Sequence, residues 1–412
     1  MTQAKQPTGP LSHVRVLDLS RILAAPWAGQ LLADLGAQVT KVERPGVGDD
    51  TRSWGPPFLR DAEGRDTKEA AYYLAVNRGK RSITVSLEKP EGQRIVRELA
   101  MQSDIVLENY KAGTLERYGL DQASLRKLNP KLIYCSVTGF GQTGPRRDQP
   151  AYDFLVQAMG GLMSVTGEKD DKPGGGPQKV GIPIVDLMTG MYTAVSVLAA
   201  LARRNETGQG EYIDIGMLDV QVATLSNQAM NYLVSGKTPQ RNGNAHPNIQ
   251  PQDVYACADG DAILVVGNDG QFEKLCEVLG RSEWIKDERF ATNAQRVRNI
   301  EVLSGMLRDL FSRWERAALI AALDGSGVPC GAINTVSEVF EDPQVKHRGM
   351  LTRVPHPCGV DVPQLASPMR FTDAPLKTLD APPLLGQHSD EILQELGYGR
   401  TDIEALRAAG AI

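Results

Sequence analysis

Cysteine and histidine are scarce in these 412 residues, and each scarcity argues against a class of chemistry. The five cysteines (Cys135, Cys257, Cys276, Cys330 and Cys358) form neither a metal-ligand spacing nor an even disulfide set, so reduced thiols in a cytosol-like compartment are expected and none is expected to act as a nucleophile. The five histidines (His13, His246, His347, His356 and His388) show no ligand spacing, so no metal is expected. A G-x-S-x-G elbow, the mark of one large group of serine hydrolases, is missing as well. Blocks of one charge are also lacking: 45 Lys and Arg are interspersed with 50 Asp and Glu, which removes the basic footprint that nucleic acid requires. The opening MTQAKQPTGP has no apolar core, and the later apolar runs read as too short and too interrupted to cross a bilayer. The expectation is a cytoplasmic protein with neither a membrane nor a nucleic-acid partner.

What is present is a regular alternation of apolar strands and helices. VRVLDLSRILAAPWAGQLLADLGAQVTKVERPG reads as a βαβ unit whose helix opens at Pro26 and whose second strand ends at Glu43. RSITVSL, a helix opened by Pro90, DIVLEN, a polar helix at 121–128 and LIYCSVTGFG continue the pattern. Short strands separated by helices predict an α/β fold, with a largely parallel sheet covered on both faces. The texture changes near Pro239, where a Pro/Asn/Gln-rich link precedes the hairpin-like DVYACADGDAILVVGN and several amphipathic helices. The expected organisation is a large domain beginning in 1–225, a small α+β domain in 226–345 and a return to the large domain in 346–412. That last part should hold short strands at Pro363–Phe371 and a helix N-capped by Ser389.

A βαβ start invites a dinucleotide site, yet the first turn, SRILAAPW, has no glycine to admit a pyrophosphate, and GVGDDT at 46–51 is too loose for a phosphate loop. The remaining candidate is Asp186, between the apolar approach Ile182–Val185 and a long apolar helix. As a local feature it reads as a helix N-cap. The free amides and positive dipole end of the same helix terminus would equally suit an anion or a developing oxyanion. Tyr152 and Asp153 open another helix, and the pair Gly160–Gly161 inside that pattern suggests close approach of a neighbour.

In order and spacing, RVLDLSRILAAPWAGQLLADLGAQVTKVERPGVGDDTR, NRGKRSI, ENYKAGTLERYGL, SVTGFGQTGP, YDFLVQAMGG, DLMTG, TGQGEYIDIGMLD, GVPCGAIN and PPLLGQHSDEIL resemble the class III CoA-transferases, a family that also contains α-methylacyl-CoA racemases. The resemblance runs from Leu11 to the C-terminus. It implies a Rossmann-like large domain, a small middle domain and an interlocked homodimer. It implies Asp186 as a carboxylate nucleophile, with CoA contacts at Arg44, Asn109, Tyr110, Arg117 and Met217. CoA thioesters would be substrates, and no permanently bound cofactor is needed.

Arg21 or His246 could meet a distal carboxylate, Tyr152 would face the substrate, and amides near Gly160 and in the loop Gly267–Gln271, including Gly270 and Gln271, could receive an oxyanion or close the site. Pro150 and Leu23 replace a lysine and a glutamine of the formyl-CoA branch. The late segments look most like the branch that moves CoA from succinyl-CoA to dicarboxylates. Racemases of the family place a histidine where Tyr152 stands, and a phenol is poorly matched to proton abstraction near neutral pH.

Overall fold

The computed structural model describes residues 9–376 and 379–412, and the chain divides into two compact units. The larger takes in the chain up to Gly161, Gly181–Ser226 and Gln344–Ile412; the smaller takes in Leu162–Val180 and Asn227–Pro343. The stretch 162–180, which the sequence reading left inside the large domain, clusters with the smaller unit.

In the larger unit six parallel strands lie in the order Lys80–Thr84, Gln38–Glu43, Arg15–Asp18, Ile105–Glu108, Ile133–Thr138, Tyr212–Gly216. This is the doubly wound order, in which the chain builds outward from its first strand and then returns to build on the other side. The central strands carry almost unbroken Val, Ile and Leu because both faces are covered. Helices Ala24–Asp34 and Ile184–Thr207 cover one face. Helices Pro90–Met101, Gln122–Leu128, Ser389–Glu395 and Arg400–Ala408 cover the other. The two loops that leave the first and fourth strands diverge, opening a crevice at the carboxyl edge where ligands of such sheets bind.

Three features differ from the sequence expectation. Among the described residues one helix, Ile184–Thr207, is long and apolar enough by composition to cross a membrane, although apolar runs of that length were not expected. Its neighbours account for its composition: Thr189, Gly190, Thr193, Ala194 and Val197 are buried, and it packs on helix Ala24–Asp34 and on the sheet. Ser389 does not cap its helix. Its hydroxyl accepts the Thr84 amide at 3.2 Å, which ties the helix to the edge strand, and His388 takes the cap position. The late strands pair as a hairpin of Leu351–Pro355 with Asp361–Leu365, earlier than expected.

The smaller unit has an antiparallel sheet in the order Cys330–Ala332, Gly260–Val265, Gln252–Cys257, packed against helices Asp269–Val278, Ile300–Phe311 and Arg316–Gly325.

Gly190 sets how closely the two helices on the first face approach. A Cβ there would lie 2.6 Å from the Ala24 carbonyl oxygen and 2.8 Å from the Trp27 ring. Gly190→Ala should therefore destabilise the protein by about 1–3 kcal/mol in denaturant unfolding, reversing the gain that alanine normally brings to a helix.

Candidate active site

The crevice holds a cavity of about 230 Å3 within the larger unit. Its walls are Arg21–Ala24 after the first strand, Asn109–Ala112 after the fourth, Val137–Gly139 after the fifth, Tyr152, Asp186 and Met217. Six residues named from the sequence thus meet in one place: Arg21, Asn109, Tyr110, Tyr152, Asp186 and Met217. A larger open groove of about 620 Å3 between helices Pro90–Met101 and Arg400–Ala408 is lined by Arg94, Glu98 and Tyr398, which already pair with one another.

Asp186 does not cap its helix. Pro183 occupies the cap position with no side-chain bond, and Asp186 is the third helical residue. The capping carboxylate arrives from another helix, Asp153–Met159: Asp153 Oδ2 accepts the amides of Val185 at 2.8 Å and Asp186 at 3.2 Å, while its Oδ1 accepts Gln157 Nε2. The Asp186 carboxylate is 9% exposed and accepts no hydrogen bond among the described residues. Burial, and then the neighbouring Asp153 charge, push its pKa up to about 7. The positive helix end that could have lowered it is already neutralised by Asp153.

Tyr72 belongs to this site and has no counterpart in the sequence reading. Burial raises its phenol to about 12, and the charges of Asp186 and Asp153 add to the effect. Trp54 meets the Tyr72 ring edge-on, with centroids 5.1 Å apart. Nothing in AAYYLAVN marks Tyr72, because its link to the site is the charge of residues about a hundred positions later in the chain.

The stretch Ser20–Ile22, of which Arg21 and Ile22 line the cavity, is held by side chains. Asn109 brackets Arg21, its Oδ1 accepting the Arg21 amide at 2.8 Å and its Nδ2 donating to the Arg21 carbonyl at 2.6 Å. Its amide group is therefore engaged with the backbone, a role that the expected CoA contact did not foresee. The Arg21 guanidinium pairs with Asp50 at 2.9 Å and lies over the Tyr110 ring, and Arg44 shares the same Asp50 at 3.5 Å. Arg44, Arg21 and Tyr110 line a small adjoining cleft. Both guanidiniums stay partly exposed, so phosphate or carboxylate can compete for them.

Other expected site residues lie elsewhere. Arg117 sits on an exposed helical turn against Tyr118 and does not line the Asp186 cavity. Gly160 is small because of packing: a Cβ there would come within 2.2 Å of the Gln221 side chain, so the close neighbour is a helix. His246, Gly270 and Gln271 belong to the smaller unit. His246 Nδ1 accepts the amides of Asn248 and Ile249. The expected closing loop is the first turn of helix Asp269–Val278, capped by Asn268, with Gln271 accepting the Gly267 amide.

A family model described as CoA-transferase family III matches residues 11–389. The chain belongs to that family. Succinate–glutarate CoA-transferase of Agrobacterium fabrum is 48% identical over 396 residues, covering 96% of this chain and 98% of its own length. Succinyl-CoA:glutarate CoA-transferase of Mus musculus is 42% identical, covering 98% and 90%. A CAIB/BAIF family protein from Brucella suis, known from its crystal structure, is 50% identical with a TM-score of 0.82, covering 94% of this chain and all of that one. This family III chain is accordingly a CoA-transferase, and CoA thioesters are its substrates.

Asp153 governs both the helix start and the electrostatics of Asp186. Asp153→Ala should cost about 1–2 kcal/mol through loss of the cap. It should also move the Asp186 titration, followed by carbon NMR of labelled aspartate, down from about 7. The removed charge and the freed amides both favour the ionised carboxylate.

Proposed function

We propose that the protein transfers CoA from succinyl-CoA to a free dicarboxylate of the glutarate class, with Asp186 as the acyl carrier. The observation that carries this reading is a buried carboxylate, without a hydrogen bond among the described residues, on the wall of the crevice where a doubly wound sheet takes its ligand. The relatives named for succinate, succinyl-CoA and glutarate support the substrate pair.

A carboxylate stripped of water and hydrogen bonds is a stronger nucleophile than a solvated one. An Asp186 oxygen attacks the succinyl thioester carbonyl, giving a succinyl–aspartyl anhydride and CoA thiolate. The thiolate attacks the aspartyl carbonyl, which forms an aspartyl–CoA thioester and releases succinate. An oxygen of the acceptor carboxylate then attacks that thioester carbonyl, giving a second anhydride and regenerating the thiolate. Attack of the thiolate on the acceptor's carbonyl yields the new acyl-CoA and restores the Asp186 carboxylate.

Arg44 and Tyr110 hold CoA at the crevice mouth, Met217 packs against its pantetheine arm, and Arg21 exchanges Asp50 for the distal carboxylate. The reading includes a homodimer in the cytoplasm. Proton abstraction is disfavoured, since Asp153 is committed to the helix cap and Tyr152, 59% exposed, is a weak base.

Because the ionised form attacks, kcat/KM for succinyl-CoA should rise with pH through about 7. Asp186→Asn should lower transfer at least about 1,000-fold, while hydroxylamine added during wild-type turnover should convert Asp186 to the hydroxamate, seen by peptide mass. The same variant should be more stable than wild type at pH 8. A raised aspartate leaves stability intact below its ordinary value of 3.8 and loses it as pH climbs to about 7, so removing the charge recovers that loss. Among acceptors, glutarate should exceed valerate by roughly 100-fold or more in kcat/KM, since valerate leaves Arg21 without a partner.

A further inference from the structure

Ile22 occupies the left-handed region, at φ +72°, although a β-branched residue there crowds its own backbone. Ser226 is the one other non-glycine residue with positive φ among those described. Ile22 lines the Asp186 cavity, immediately before the helix whose first residues continue the same wall. A conformation of this kind persists only where its surroundings over-determine it.

Those surroundings are a chain of side chains reaching the backbone in sequence. Ser20 has its amide on Asp18 and its carbonyl on Lys41 Nζ at 2.8 Å. Asn109 takes both backbone groups of Arg21. The Ile22 amide then points at Asp49, 3.3 Å from each carboxylate oxygen. Asp49 is itself immobilised: its Oδ2 lies 2.8 Å from Lys41 Nζ, with both side chains fully buried, and its Oδ1 accepts the Thr51 amide and hydroxyl. Asp49 thus joins a buried ion pair at one end to a strained residue of the cavity wall at the other.

We propose that Asp49 is a positioning residue of the transfer reaction, holding Ile22 left-handed so that the wall from Arg21 to Ala24 faces Asp186 in reacting geometry. The proposal rests on the reading of Asp186 as the acyl carrier. Asp49 lies at the floor of the small cleft that Arg44 and Tyr110 line, with its side chain fully buried, and its effect passes through the Ile22 amide. Without that anchor Ile22 relaxes to an ordinary negative φ, the wall turns, and the reacting atoms lose alignment while the outer CoA contacts remain. Small misplacements of this kind reduce kcat more than they weaken binding.

The test uses Asp49→Asn and the double variant Lys41→Met/Asp49→Leu, each alone and with Ile22→Gly or Ile22→Ala. The double variant removes both members of the ion pair, so that neither is left buried without the other, and because it also removes the Lys41 bond to the Ser20 carbonyl, the assignment to Ile22 rests on the glycine rescue. kcat, KM for succinyl-CoA and Tm are read, with kcat taken well below each Tm. The expected result is a fall in kcat of about tenfold or more with KM within about threefold of wild type. Ile22→Gly should restore about fivefold of that loss because glycine enters the left-handed region freely, and Ile22→Ala should not.

A lowered Tm with unchanged kcat would leave Asp49 as a structural residue and overturn the proposal. So would equal kcat with and without the glycine. Asp186→Asn, assayed alongside, tests the underlying reading separately: if that variant still transfers CoA, the acyl-carrier assignment fails, whatever the Asp49 series shows.

Discussion

A helix terminus can neutralise one anion well, and in this protein Asp153 is that anion. By taking the amides of Val185 and Asp186, it spends the stabilisation that would otherwise hold the Asp186 carboxylate at an ordinary aspartate pKa. Asp186 is left to burial and to repulsion from Asp153, both of which disfavour its charge. The result is a carboxylate poised near neutral pH and, among the described residues, without a hydrogen bond, at some cost in fold stability. The phenol of Tyr72, raised first by burial and then by the same two charges, marks the reach of this local field.

Behind the cavity wall lies a group of buried ions drawn from the first three strands of the sheet and from the chain between the second and the third. Lys80 meets Asp18, Lys41 meets Asp49, and Arg52 meets both Glu43 and Glu69, all almost fully buried. For Asp49, burial alone would raise the pKa, and the Lys41 ammonium outweighs that and holds it down to about 2. Buried pairs of this sort give little net stability against apolar replacements, because desolvation offsets their attraction. Their effect here is geometric. Several point at backbone groups of Ser20–Ile22, a stretch that forms no regular secondary structure and yet carries Arg21 and Ile22 of the cavity wall.

The crevice is also where family likeness and substrate choice separate. The doubly wound sheet and the position of Asp186 on a long helix would serve any acyl thioester. Arg21, paired with Asp50 yet still partly exposed, and Leu23 beside it belong to this wall, and in the proposed reaction they are the side chains nearest the choice of acid.

The sequence by itself determined the order of strands and helices, since period and punctuation are local properties. The runs around Val16, Val39, Ile83, Val106 and Tyr134 are strands of one sheet, and Pro90 opens its helix as read. Chain order and spacing also identified the family, and residue type made Asp186 a candidate. Only the tertiary structure decided what Asp186 is bonded to, because its rival for the helix end lies 33 residues earlier. The same holds for Asn109, which lines the cavity and also brackets a backbone 88 residues away, and for Gly160, whose neighbour is a helix. The helix Ile184–Thr207 read from sequence as long and apolar, yet as too interrupted to cross a bilayer, because Thr189, Gly190 and Thr193 break its hydropathy. Those small residues are what let it lie against the helix Ala24–Asp34, a relation set by packing between segments far apart in the chain.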